Sequence, residues 1–289
     1  MHGEGGVSAA VPVMPAATMA AAPIGIFDSG VGGLSVLRHI RSCLKNEQLI
    51  YVADALYAPY GERAEAEIEQ RALRIGAFLI EQRVKAIVVA CNTATAVAIH
   101  ALRNAYPSLT VIGVEPGLKP AIALSRSKII GVLATEATLA SEKFLLLRES
   151  LSKDDAARFL LQPCTGLADR IEHGFFADPQ TQSMLHGYIA PLLQQGADTL
   201  VLGCTHYPFV LAQIQKVIFA CTAAPITVVD TGEAIARRLV DLLLQHKLPA
   251  QNDQFSPKIR AFTSGDAASL HTAFMTLLEL HVDVGTAEF

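Results

Sequence analysis

Ala86-Ile87-Val88-Val89-Ala90-Cys91-Asn92-Thr93-Ala94-Thr95-Ala96-Val97-Ala98-Ile99 reads as a buried strand that breaks at a polar corner and continues as a helix. Its first five residues are apolar in succession rather than in alternation, the mark of a parallel strand covered on both faces. Cys91, Asn92 and Thr93 form the corner, and the Ala-rich stretch Ala94–Ala105 has helix-favouring composition. A second copy, Leu200-Val201-Leu202-Gly203-Cys204-Thr205-His206-Tyr207-Pro208, repeats the apolar run and the Cys corner.

Working outward, similar runs predict strands at Ile24–Asp28, Leu49–Asp54, Ala86–Asn92, Val111–Glu115, Ile129–Thr135, Arg158–Pro163, Thr199–Thr205, Ile226–Thr231 and Ile259–Ser264. Helix patterns fill the intervals, among them Leu34–Leu44, Glu62–Arg83 and Pro179–Gln195. Strand–helix alternation of this kind implies a doubly wound α/β fold. Ligands in such folds bind beyond the carboxyl ends of the strands. Those ends carry two Asp-(Ser/Thr)-Gly corners, Asp28-Ser29-Gly30 and Asp230-Thr231-Gly232, besides the two Cys corners. The pairing predicts two similar parallel-sheet lobes facing each other across a cleft. Residues 24–117 with 225–289 would form lobe one, residues 118–224 lobe two, and residues 1–23 a mobile tail.

Composition narrows the function. Over 289 residues the chain is 51% hydrophobic and 17% charged, with net charge −4 and no basic run. Neither nucleic acid nor an anionic membrane is indicated as a partner, and an anionic ligand must be held by local groups. Five cysteines with no CxxC pair argue against a disulfide framework and for a reducing cytoplasm. The uncharged segment Gly5–Phe27 lacks a basic n-region and is broken by Pro12, Pro15 and Pro23, so it does not read as a signal peptide.

Each motif has two readings. A Cys ending a buried strand is commonly core packing, yet a helix N-terminus favours thiolate, and two Cys in matched settings favour catalysis. Cys43, Cys164 and Cys221 lack that setting and read as structural. Asp28-Ser29-Gly30-Val31-Gly32-Gly33 invites a dinucleotide reading with Asp54 as the ribose-binding acid, but Ser35 stands where the fingerprint needs Gly or Ala. Asp28 would also repel a pyrophosphate at that helix terminus. Cys204 and His206 could begin a metal site, but no further ligands have recognisable spacing, and no Lys for a Schiff base is identifiable. Neither metal nor cofactor is therefore expected. Tyr60, in Tyr57-Ala58-Pro59-Tyr60-Gly61, is either a cleft-facing hydroxyl or a half-buried loop aromatic.

Taken in order, Phe27-Asp28-Ser29-Gly30-Val31-Gly32-Gly33-Leu34, Pro59-Tyr60-Gly61, Val89-Ala90-Cys91-Asn92-Thr93, Gly203-Cys204-Thr205-His206 and Val229-Asp230-Thr231-Gly232 resemble the glutamate racemases of the aspartate/glutamate racemase superfamily. The resemblance implies a cofactor-independent enzyme interconverting L- and D-glutamate and supplying D-glutamate for peptidoglycan. It makes Cys91 the acid–base group on the D-glutamate side and Cys204 that on the L-glutamate side. Asp28 would assist Cys91, and His206 would assist Cys204. Glu172 is the further acidic helper, with Asp169 as fallback because Thr165 stands where many relatives have Pro. Asp28, Ser29, Tyr60, Gly61, Asn92, Thr93, Thr138 and Thr205 would hold the substrate. The resemblance further implies UDP-N-acetylmuramoyl-L-alanine as a candidate activator, acting with a tail before the first strand, and admits a homodimer. The rival readings are another superfamily member, such as an aspartate racemase or a related decarboxylase, and a two-lobed amino-acid-binding module. A binder would have no use for paired thiols.

Overall fold

The computed structural model describes residues 20–155, 157–249 and 258–289. Its strands are β1 Ile24–Asp28, β2 Leu49–Ala53, β3 Ala86–Val89, β4 Thr110–Gly113, β5 Ile129–Ala134, β6 Arg158–Pro163, β7 Thr199–Gly203, β8 Thr227–Val229, β9 Ile259–Thr263 and β10 Val284–Thr286. Its α-helices are α1 Leu34–Cys43, α2 Glu65–Glu81, α3 Asn92–Ala105, α4 Leu118–Leu124, α5 Glu136–Ala140, α6 Glu142–Asp155, α7 Leu167–Glu172, α8 Pro179–Gln194, α9 Leu211–Cys221, α10 Gly232–Gln245 and α11 Ala267–Leu278.

The strands form two sheets, ordered β10-β9-β2-β1-β3-β4 and β6-β5-β7-β8, and the pairings are parallel throughout. In each sheet the chain starts inside and winds to both sides, so successive crossovers place helices on both faces. That explains the uninterrupted apolar runs. Every residue of β1, β2, β3, β4 and β7 is buried. Period two still sorts them: Ile24 and Ile26 pack with α1, α10 and α11, while Phe27 packs with α2 and α3. In the second sheet Leu200 and Leu202 pack with α7, α8 and α9, while Ile130, Val132 and Val201 pack with α4 and α6.

Two lobes of like architecture thus appear, with three corrections to the expected organisation. Thr227–Val229 pairs with β7, so the return to lobe one lies after residue 229 rather than at 225. Both crossings between lobes run side by side there. A Cβ on Gly117 would come within 2.9 Å of Val229 and Thr231 side chains, so Gly is what lets the crossings touch. Second, Ala20 and Ala22, inside the expected tail, are buried. The buried Lys85 ammonium, paired with Glu47, donates to the carbonyls of Ala20 and Leu248 and ties the segment down. Residues 1–19, where most of the expected mobile tail falls, lie outside the described residues. Third, β10 was not foreseen. It is three residues long, contains Gly285 and lies at the sheet edge, where pairing with β9 rather than apolar pattern defines it. Among the described residues no helix is long and apolar enough to cross a membrane.

Candidate active site

Three of the four expected corners, those of Asp28, Cys91 and Cys204, meet where the carboxyl ends of the sheets face each other. From lobe one, β1 ends at Asp28, whose Oδ2 accepts the Gly33 N–H at 2.5 Å and closes the Ser29–Gly33 turn. Asp28 is fully buried, and loss of hydration pushes its pKa up to about 6; neighbouring Glu172 adds to the rise, while His206 and the Gly33 N–H oppose it. Cys91 N-caps α3: its sulfur accepts the Ala94 N–H at 3.4 Å and lies 4.0 Å from the Ser29 hydroxyl. The helix terminus was expected to favour thiolate there. The Ala94 N–H does act in that direction, but burial and the Asp28 charge outweigh it, and the Cys91 pKa stands well above its ordinary value.

From lobe two, Cys204 follows β7, with His206 Nδ1 3.6 Å from its sulfur. The two Cys corners differ locally. Cys91 opens an α-helix directly, whereas the chain after Cys204 makes a 3₁₀ turn, Tyr207–Val210, before α9. The other face of His206, Nε2, lies 2.7 Å from Glu172 Oε2 at the end of α7. Burial works against the imidazolium, but the contacts with Cys204 and Glu172 prevail and raise the His206 pKa well above normal. Burial likewise opposes the Glu172 carboxylate, yet His206 and the Val31 N–H hold its pKa below the ordinary range. Asp169, the fallback, is half-exposed and pairs with His173 on the surface. The geometry therefore places Glu172, not Asp169, beside the site.

The Gly-rich turn has a steric reason beyond the expected one. A Cβ on Gly30 would overlap the Glu172 carboxylate, and one on Gly32 would overlap the His206 ring and approach Thr205 Oγ1. Glu172 itself accepts the Val31 N–H at 2.9 and 3.1 Å. The amide position that a pyrophosphate would need is thus taken by a side chain of the facing lobe, and the dinucleotide reading falls. Asp54 is also engaged elsewhere, in a two-point pair with Arg71. Among the described residues no three His, Cys, Asp or Glu side chains converge as metal ligands.

The remaining expected contacts divide. Thr93 and Thr138 come together with Thr135 in a hydroxyl cluster across the lobes, at 3.1 Å for Thr93–Thr135 and 2.9 Å for Thr135–Thr138. Ser29 and Thr205 are buried at the corners. Gly61 packs against Thr135. Asn92 turns its amide to the Val114 carbonyl at 3.4 Å, and the Tyr60 hydroxyl donates to Asp54 at 2.6 Å. Asp230, twin of Asp28 in sequence, pairs with His39 at 3.6 Å and caps Gly232, so the second Asp-Thr-Gly corner supports the crossing between lobes. Cys164 is buried and donates to the Gln162 carbonyl at 3.5 Å; Cys43 and Cys221 are exposed at the ends of α1 and α9.

Sequence reasoning missed three supporting groups. Thr135 ends its strand like the other corner residues, so the strand-end rule alone could have marked it. Ser35, which donates to the Gly32 and Thr205 carbonyls at 2.8 Å, and Tyr51, which donates to the Gly30 carbonyl at 2.7 Å, carry no local signal. A cavity of about 770 Å³, bounded by Val31, Ile171, Glu172 and α11, adjoins the Glu172 end of the site.

A family model described as Asp/Glu/Hydantoin racemase matches residues 24–239. A glutamate racemase of Ectopseudomonas mendocina is 47% identical over 257 residues, covering 89% of this chain and 95% of the relative. Among solved structures, the Francisella tularensis glutamate racemase in complex with D-glutamate superposes with TM-score 0.80 at 28% identity, covering 93% of this chain and 98% of that one. The Escherichia coli glutamate racemase in complex with L-glutamate and the activator UDP-MurNAc-Ala gives TM-score 0.75 at 30% identity, covering 91% and 97%.

Proposed function

The chain belongs to the Asp/Glu/Hydantoin racemase family, and we infer from this membership that it is a racemase interconverting L- and D-glutamate. What supports the mechanism is that Cys91 and Cys204, one from each lobe, lie near enough to feel each other's charge, with Asp28 beside the first and His206 beside the second. For L-glutamate, the Cys204 thiolate takes the α-proton while the His206 imidazolium, held by Glu172, acts as its counter-ion. The Cα–H electron pair moves toward the substrate carboxylate, and the Cys91 thiol returns a proton to the opposite face. Cys91 is left as thiolate and Cys204 as thiol, the arrangement needed for D-glutamate, so the two directions use the same groups with roles exchanged. Burial of both thiols excludes water and strengthens the fixed dipoles of the Ser29 and Thr205 corners. We place the hydroxyls of Thr93 and Thr138 on the substrate's polar groups, and assign the product to peptidoglycan synthesis in the cytoplasm. The effector UDP-N-acetylmuramoyl-L-alanine, bound by the Escherichia coli relative, is proposed for this chain as well, as is a homodimer.

Glutamate incubated in D₂O without added cofactor should racemise and gain deuterium at Cα; a binding module cannot cause that exchange. Aspartate left untouched in the same assay would separate the chain from aspartate racemases. The same preparation, dialysed against chelator, should keep its rate and show no pyridoxal absorbance. Activity restored only by a divalent metal would overturn the two-thiol scheme.

The pH profile has an expected acid limb. Asp28 is needed as a carboxylate beside Cys91, and its raised pKa of about 6 means the charge is lost as pH falls through that value. The rate should therefore decline below about pH 6, far above the range of an exposed carboxylate. Asp28→Asn should lower the rate and remove that limb. An unshifted limb in this variant would assign it to another group.

A further inference from the structure

Outside the thiol pair, a buried charged cluster lies under the loop that carries Tyr60 and Gly61. Asp54, wholly buried at the end of β2, donates its backbone N–H to the Asp28 carbonyl at 3.0 Å. Its side chain uses both oxygens: Oδ1 takes Arg71 Nη2 at 2.7 Å, and Oδ2 takes Arg71 Nε at 2.9 Å and the Tyr60 hydroxyl at 2.6 Å. The Arg71 guanidinium also stacks on the Tyr57 ring, 3.9 Å from its centroid, and donates Nη1 to the Phe289 carbonyl. One planar cation on α2 therefore grips both ends of the 57–60 segment: Tyr57 by its face and Tyr60 through Asp54. Tyr60 packs in the same apolar cluster as Cys91, and Gly61 beyond it touches Thr135 of the facing lobe. A two-point guanidinium–carboxylate fork fixes an angle as well as a distance, which an ammonium cannot do.

We propose that Arg71 is a positioning residue for substrate binding, acting through Asp54 and Tyr60 to set the Tyr57–Gly61 loop against the Cys91 side of the cleft. The proposal rests on the glutamate racemase reading. Loss of the fork frees the loop without touching either thiol, so ground-state capture of glutamate suffers more than proton transfer.

The test is steady-state racemisation of both enantiomers by purified, folded variants. Arg71→Lys should raise KM for L- and D-glutamate about tenfold while kcat changes less than about threefold. Tyr60→Phe, which keeps the ring and removes the hydroxyl, should raise KM severalfold, and the double variant should be no worse than Arg71→Lys alone, because both act through one chain of contacts. Millimolar methylguanidinium should lower KM in Arg71→Ala while leaving the wild-type KM unchanged. If Arg71→Ala does not fold, Arg71→Lys and Tyr60→Phe still decide. Unchanged KM in either of those, a fall in kcat alone, or additive effects in the double variant would overturn the proposal. Wild-type protein that fails to racemise glutamate would remove the function and this proposal together, whereas an active wild type beside an unaffected Arg71→Lys removes the proposal only.

Discussion

Racemisation should fall by about 10³-fold or more in both Cys91→Ser and Cys204→Ser, the scale expected when a general acid–base group is replaced by an alcohol too weakly acidic to act. Volume hardly changes, so folding should persist. Were the two cysteines core residues, each substitution would cost only about 0.5–3 kcal/mol of stability and the folded fraction would keep its rate. The two faces sharpen the test. With a substrate analogue whose β-leaving group departs once the α-proton is removed, one proton transfer suffices. Cys204→Ser should then still eliminate from the D-enantiomer through Cys91, and Cys91→Ser from the L-enantiomer through Cys204. Normal racemisation by either variant shows that thiol to be misassigned. Elimination from the opposite enantiomers shows the faces reversed.

Glu172→Gln has the next largest expected effect, a loss of about 10²-fold in racemisation in both directions. Glu172 is the anionic partner of His206 and at the same time the acceptor for the Val31 N–H. The amide keeps the shape but removes the charge that sustains the imidazolium beside Cys204. The sign for pH follows. The His206 pKa is raised in the folded protein, so its cation, and with it the counter-ion for Cys204, is lost as pH rises through that elevated value. In Glu172→Gln the alkaline limb should move to lower pH, and the melting temperature should fall, because the buried imidazolium loses its partner. Because the damage is confined to the Cys204 side, elimination from the D-enantiomer of the β-substituted analogue should survive. Equal loss of elimination from both enantiomers of the analogue, or an unmoved alkaline limb, would place Glu172 in a purely structural role.

The likeness of the two lobes, read from paired corners, is real in the sheets and misleading in the chemistry. Asp28 and Asp230 share a motif, yet Asp28 faces the thiol site while Asp230 holds His39 at the crossing between lobes. Cys91 and Cys204 likewise end equivalent strands, but Cys91 is pressed by a carboxyl and Cys204 by an imidazole. In the proposed mechanism that difference gives each face of the substrate carbon its own helper.

From sequence alone came everything governed by short range: nine of the strands, helices between them, the strand-end corners and the two thiols placed at them. Apolar succession and period are written in contiguous residues, and a parallel sheet forces its strand ends to one edge. Only the tertiary structure decided which distant groups share a charge. Glu172 holds His206 within its own lobe and Val31 across the cleft, Asp54 takes the Tyr60 hydroxyl into a buried ion pair, and burial raises the Cys91 pKa against the helix terminus that should lower it. Each of those outcomes depends on desolvation and on partners more than 30 residues away or in the other lobe, or on a loop folded back over its own strand end, and no local pattern encodes them.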